Sequence, residues 1–162
     1  MPDESPSTLV LDILQDGWTA GNTFGQTPDI HFGWFNEDST VPQVTVGQPE
    51  ESPVDGGTTG YNSITQDGSP GQEVDGTVEV NVWARRGDMG SSTTTNPRQY
   101  NYQATEEIQR LCEANANAPT NPDTGNQPVD HIAYLGRQPQ PDTNRTPTVF
   151  RYIVPVGYGY RD

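Results

Sequence analysis

The chain has 162 residues, a length that suits one domain, and a formal net charge of −14, with 22 acids against eight basic residues. Leu, Ile, Val and Phe make only 28 of the 162 residues, so the core is thin and the chain is expected to bury further surface against copies of itself. One cysteine excludes an intrachain disulfide and a Cys-based metal cage, and no run approaches the roughly 18 apolar residues that span a bilayer.

The basic side is the more telling one. All eight positive residues are Arg and there is no Lys, a composition that fits a proteome adapted to molar salt, where screening removes the self-repulsion of so acidic a chain. Residues 1–84 hold 14 of the 22 acids and none of the Arg, so this half is not expected to wrap nucleic acid. Seven Tyr and three Trp in patterned segments argue for a fold rather than disorder. The first residues, "MPDESPSTLV", have neither a basic segment nor a long apolar run, so a soluble protein made inside a cell is expected.

"SPSTLVLDILQDG" predicts a first helix capped by Ser5, with Pro6 in its first position and Gly17 at its end. Leu9, Val10, Ile13 and Leu14 share one face, and Leu11 and Asp12 point away from it. "DIHFGWF" (29–35) and "VPQVTVG" (41–47) read as strands joined by the turn "NEDST". Residues 47–73 are rich in Gly, Pro, Ser and acids and form an extended loop or arm. "GTVEVNVWARRGD" (76–88) then alternates cleanly, with Val78, Val80 and Val82 on one side and Thr77, Glu79, Asn81 and Trp83 on the other. After a polar stretch, "NPRQ" starts a second helix with Asn96 as cap, which buries Tyr100, Ala104, Ile108, Leu111 and Cys112 and runs to about Ala116.

"VDHIAYLGR" (129–137) and "TVFRYIVPVGYGY" are two closing strands. In the second, Phe150, Tyr152, Val154, Val156, Tyr158 and Tyr160 face one way, and Pro155 places part of it at a sheet edge or beside a bulge. The order predicts an α+β fold in one domain of residues 1–162: an antiparallel or mixed sheet of about five strands, two helices on one face, and long polar loops.

Catalytic groups are hard to find. His31 and His131 each stand alone in a strand, and Cys112 on the apolar helix face reads as a buried, inert thiol. "DTG" at 123–125 reads as a turn at a helix exit rather than a protease triplet, because no apolar strands flank it. "RGD" at 86–88 reads as a strand ending in a turn, and "NRT" at 144–146 as a chance sequon. No phosphate-cradling glycine loop or paired nucleophile and base is present, so no enzyme, cofactor or metal site is expected.

"GTVEVNVWAR", the polar gap, the helix "YQATEEIQRLCEA", and then "IAYLGR" and "FRYIVPVGYGY" together resemble the tail-completion or tail-terminator proteins of long-tailed double-stranded DNA viruses; "STLVLDILQDG" fits that family's first helix. The resemblance implies a structural virion protein of the head-tail neck. Such a protein forms a ring, usually six-fold, that caps the tail tube and meets the head connector or stopper protein. It is made in the host cytoplasm, its partners are its own copies, the tail tube protein and the connector, and genomic DNA passes through without sequence-specific binding. The salt adaptation points to a halophilic archaeal host. In this reading Arg85, Arg86 and Arg98 are candidates for the subunit interface, and Glu50, Glu51, Asp55, Asp67 and Glu73 for the lumen or its rim. Alternatives are another neck ring (stopper or adaptor), a non-viral halophilic binding or accessory domain, and a largely disordered acidic protein.

Overall fold

The computed structural model describes residues 4–53, 63–64, 70–71, 73–88, 96–145 and 148–161. In chain order they form α1 (Pro6–Gly17), a 3-10 turn (Ala20–Thr23), β1 (Asp29–Phe32), β2 (Gln43–Pro53), β3 (Ser63–Ile64), β4 (Pro70–Gly71), β5 (Glu73–Arg85), α2 (Pro97–Ala114), β6 (His131–Tyr134), β7 (Gln138–Pro139) and β8 (Val149–Arg161). The main sheet has the order β1-β2-β5-β8-β6, with β7 pairing β8 beyond the end of β6; β3 and β4 make a separate two-stranded piece. Only β1 and β2 are parallel, so the sheet is mixed, and both helices pack on one of its faces.

Local chemistry starts both helices where the sequence places them. Ser5 Oγ accepts from the Ser7 N–H at 3.2 Å, with Pro6 next, and Asn96 Oδ1 accepts from the Gln99 N–H at 2.9 Å, with Pro97 next. From α2, Tyr100, Ala104, Ile108, Leu111 and Cys112 are all buried in the core. They meet Val78, Val80 and Val82 of β5 and Val154, Val156 and Tyr158 of β8, the sides those strands turn toward the helices. Leu11 is buried too, against expectation, because α1 packs on β1, β2 and α2 together and so hides more than a single stripe.

The β1–β2 connection differs from the expected turn between neighbouring strands. Parallel pairing requires residues 33–42 to cross back over the sheet, and they do so on the face without helices. There Phe35 packs on Trp83, ring centroids 5.4 Å apart, and Trp34 meets the same indole edge-on at 4.9 Å. Gln43 fixes the crossing: its Oε1 accepts from the Asn36 N–H at 2.7 Å and its Nε2 donates to the Asn36 carbonyl at 2.8 Å.

The segment 47–73 is less loop than its composition predicts. β2 continues to Pro53 and β5 already begins at Glu73, with a register shift between Val46 and Pro49. That bulge exchanges the faces of β2, so Glu51 lies on the helix side and Glu50 on the other. Residues 54–62, 65–69 and 72 lie outside the described residues. Gly76 of β5 has a packing reason. A Cβ there would sit 2.5 Å from the Tyr158 ring and 2.8 Å from the Glu50 carbonyl oxygen.

Pro155 lies in an interior strand, not at an edge. Its carbonyl accepts from the Leu135 N–H at 3.1 Å, so its missing donor falls at the break between β6 and β7, where the ladder is already interrupted.

Candidate interaction surface

The face of the sheet opposite the helices has two ends of different chemistry. At the end of β5 near Arg85 it carries arginines laid on aromatic rings. Arg151 of β8 lies 4.6 Å from the Trp34 ring and 4.7 Å from Trp83, donates from Nε to Asn81 Oδ1 at 2.7 Å, and pairs with Glu79 at 3.6 Å. Arg85 and Arg145 both lie over Phe35. Arg145 also binds Asp142 at 2.7 Å and Glu37. The acids and arginines here neutralise one another inside the subunit, and Trp34 stays half exposed above them.

The other end is acidic and hollow. Glu50 of β2, Asp75 and Thr77 of β5, and His131, Ala133 and Leu135 on the β6 side surround a shallow depression of about 550 Å³. Register explains the hollow: Asp75 pairs with Gly159, which pairs with His131, and Thr77 pairs with Gly157, which pairs with Ala133. The middle strand thus contributes two residues without side chains, and Leu135, His131 and Asp75 lean into the space above them, leaving both glycines buried.

The expected interface arginines have separate fates. Arg85 is engaged inside the subunit: its Nε reaches Asp88 Oδ1 at 3.0 Å and its terminal nitrogen donates to the Glu37 and Ser39 carbonyls. Asp88 also accepts from the Arg85 N–H at 2.8 Å, so "RGD" closes a turn, as read from the sequence. Burial pushes the Asp88 carboxyl above the usual range despite Arg85. Arg86 is exposed in that turn. Arg98 lies over Phe150 at 4.9 Å, beside a pocket of about 280 Å³ that Pro139, Pro141 and Tyr152 also line.

The expected lumen acids are also dispersed. Glu51 is held by two tyrosine hydroxyls, Tyr158 donating at 2.6 Å and Tyr160 at 2.9 Å. Burial and that carboxylate push the Tyr158 hydroxyl upward. Glu50 faces the hollow end, Glu73 is half-buried and pairs in register with Arg161, and Asp55 and Asp67 lie outside the described residues.

His31 is half-buried in β1, His131 is exposed in β6, and burial pushes the Cys112 thiol up to about 12. The "DTG" segment is a turn, in which Asn121 Oδ1 accepts from the Asp123 and Thr124 N–H groups. Among the described residues no group of three or more His, Cys, Asp or Glu is placed to hold a metal, and no helix is long and apolar enough to cross a membrane. Sequence reasoning missed Asp75, His131, Gly157 and Gly159 as neighbours. The glycine alternation of "VGYGY" was the available signal, but it gains meaning only once β5 and β6 flank it. Comparison with protein-family models finds no family that matches the chain, and comparison with curated proteins finds no match.

Proposed function

We propose that this chain is a structural ring protein of the head-tail neck of a long-tailed virus, capping the tail tube and joining it to the head connector. The observation that carries the reading is the helix-free sheet face, which leaves Trp34 and Leu135 half exposed and has an acidic end where Glu50 and Asp75 form no ion pair among the described residues. A domain with so thin a core that leaves one sheet face uncovered gains by burying it against other chains. The order of elements over residues 5–20 and 74–160 agrees with the resemblance they carry, while the long polar insertion between β2 and β5 departs from that family's pattern. Copies arranged around a channel would pass DNA past a first half that has no positive charge, so the wall would not hold phosphates by counterion-releasing contacts.

Light scattering on the purified chain in molar KCl, combined with electron microscopy, tests the proposal. The expected result is a closed ring of about six copies that binds the end of tail tubes. A monomer at every concentration overturns it. A ring that binds the head connector and ignores tail tubes assigns the chain to the stopper or adaptor position instead.

A further inference from the structure

We infer that the hollow acidic end of the helix-free sheet face is the docking surface for a second copy of this chain, which enters it with the Arg86 side chain of its own β5 turn. The inference rests on the ring-forming reading and adds which surfaces meet.

The receiving surface presents carboxylates in the wall of a shallow depression. A Cβ on Gly159 would sit 2.4 Å from His131 Cε1 and 2.8 Å from Asp75 Oδ1, so the missing side chain lets Asp75 and His131 from the two flanking strands converge above β8. A planar guanidinium entering the depression can fork toward the Glu50 and Asp75 carboxylates at its walls, a geometry a lysine ammonium does not match, and Arg is the only cationic side chain permanently charged in this protein. Glu50 and Asp75 have no cation partner among the described residues, whereas Glu37, Glu79, Asp88 and Asp142 at the opposite end each have an arginine. Leu135, 55% exposed, adds apolar surface on the far wall.

Elimination identifies the entering side chain. Arg85, Arg110, Arg137, Arg145 and Arg151 are each paired with an acid of their own chain. Arg98 is engaged by the Phe150 ring, and Arg161 stands at the acidic end itself, across from Glu73 in register, so it belongs to the receiving end. Arg86 is exposed, has no acid partner among the described residues, and stands just past the end of the 13-residue β5 that is farther from Asp75. Two different patches at opposite ends of one strand make a head-to-tail contact, the kind that closes rings, rather than the self-matching patch of a two-fold dimer. Molar salt screens an exposed ion pair, but a guanidinium enclosed between Leu135 and the acids is screened much less.

A charge swap tests the contact on the full chain in molar KCl, with sedimentation velocity reading the concentration at which half of the subunits are assembled. Asp75→Arg alone and Arg86→Asp alone should each raise that concentration about tenfold, and the combined swap should restore much of the loss. Gly159→Ala, whose Cβ displaces only the tips of exposed side chains, should weaken assembly while circular dichroism stays unchanged. Rings that form as in the parent chain in all three single variants overturn the contact and leave the ring-forming reading standing. Losses that merely add in the double variant also overturn it. Variants that assemble normally but no longer bind tail tubes give the face to that partner and overturn it too. A parent chain that never assembles removes both this contact and the ring.

Discussion

Glu107 is the buried charge on which three segments meet. Its carboxylate accepts from the Thr19 N–H at 2.6 Å, from Asn22 Nδ2 at 2.9 Å and from Arg110 Nε at 2.6 Å, while Arg110 also donates to the Gly17 carbonyl at the end of α1. Burial alone would raise its pKa, but the bonds from Arg110, Thr19 and Asn22 together outweigh burial and hold it below the usual Glu value. A lowered folded value means stability that is fully present above the ordinary value of 4.5 and is lost as pH falls through the folded one. Glu107→Ala should cost about 1–2 kcal/mol, because it removes the charge-assisted bonds that tie α2 to the Thr19 N–H and to Asn22, while these exposed donors and Arg110 regain water. Glu107→Gln should show a flatter loss of stability below pH 4.5 than the parent, and urea midpoints across that range check both. Gly76 gives a second test at this scale. Gly76→Ala drives a Cβ into the Tyr158 ring and the Glu50 carbonyl and should cost about 1–3 kcal/mol. Gly21→Ala, where a Cβ meets nothing within 4 Å, should stay within about 0.5 kcal/mol, so thermal unfolding of the pair separates close approach from a general glycine effect.

At the scale of elements, α1 carries an electrostatic conflict with the turn at residues 121–126. Asn121 ties the turn to the helix by donating to Glu4 and Asp12, both at 2.8 Å, and this draws Asp123 toward the helix's own acids. The neighbouring Asp16 carboxylate, with the charge of Asp12 behind it, raises the exposed Asp123 carboxyl to about 6. A raised folded value gives stability that is present below the ordinary value of 3.8 and is lost as pH rises through about 6. In dilute buffer the melting temperature should therefore carry a falling component between those values. Asp16→Asn should remove it, and molar salt, with a Debye length of about 3 Å, should flatten it in the parent. A melting curve against pH at two salt concentrations reads all three outcomes. The mixed sheet shows element-scale logic of another kind. The crossing at residues 33–42 lets Phe35 join Trp83 and Val149 in a small second cluster on the helix-free face, so that face is half covered without a second helical layer.

Across the whole molecule, charge decides the conditions under which the fold holds. The formal net charge is −14, and the arginines are mostly consumed within the subunit, so unpaired acids repel one another over much of the surface. Raising NaCl from dilute buffer to molar concentration should raise the melting temperature steadily. A melting temperature that does not move with salt would mean that this acidity has no bearing on stability. Assembly follows a different rule, since contacts that survive molar salt must be enclosed or apolar.

Much of this architecture was legible from local pattern. Period-two alternation marks β5 and β8, helical spacing marks α2, and Ser5-Pro6 and Asn96-Pro97 mark the starts of both helices, because each signal lies within a few residues and acts through backbone geometry alone. Composition set the salt prediction by itself. What local pattern could not determine is pairing. Whether β1 lies parallel to β2, and whether 33–42 crosses the open face, depends on Phe35 finding Trp83 some fifty positions later in the chain. The same holds for the candidate surface. Asp75, Gly159 and His131 are far apart in the chain and become one hollow only through the registers of β5 with β8 and of β8 with β6. Arg85 and Arg86, adjacent and alike in sequence, are separated by tertiary structure, because the turn that ends β5 aims one inward at Asp88 and leaves the other in solvent.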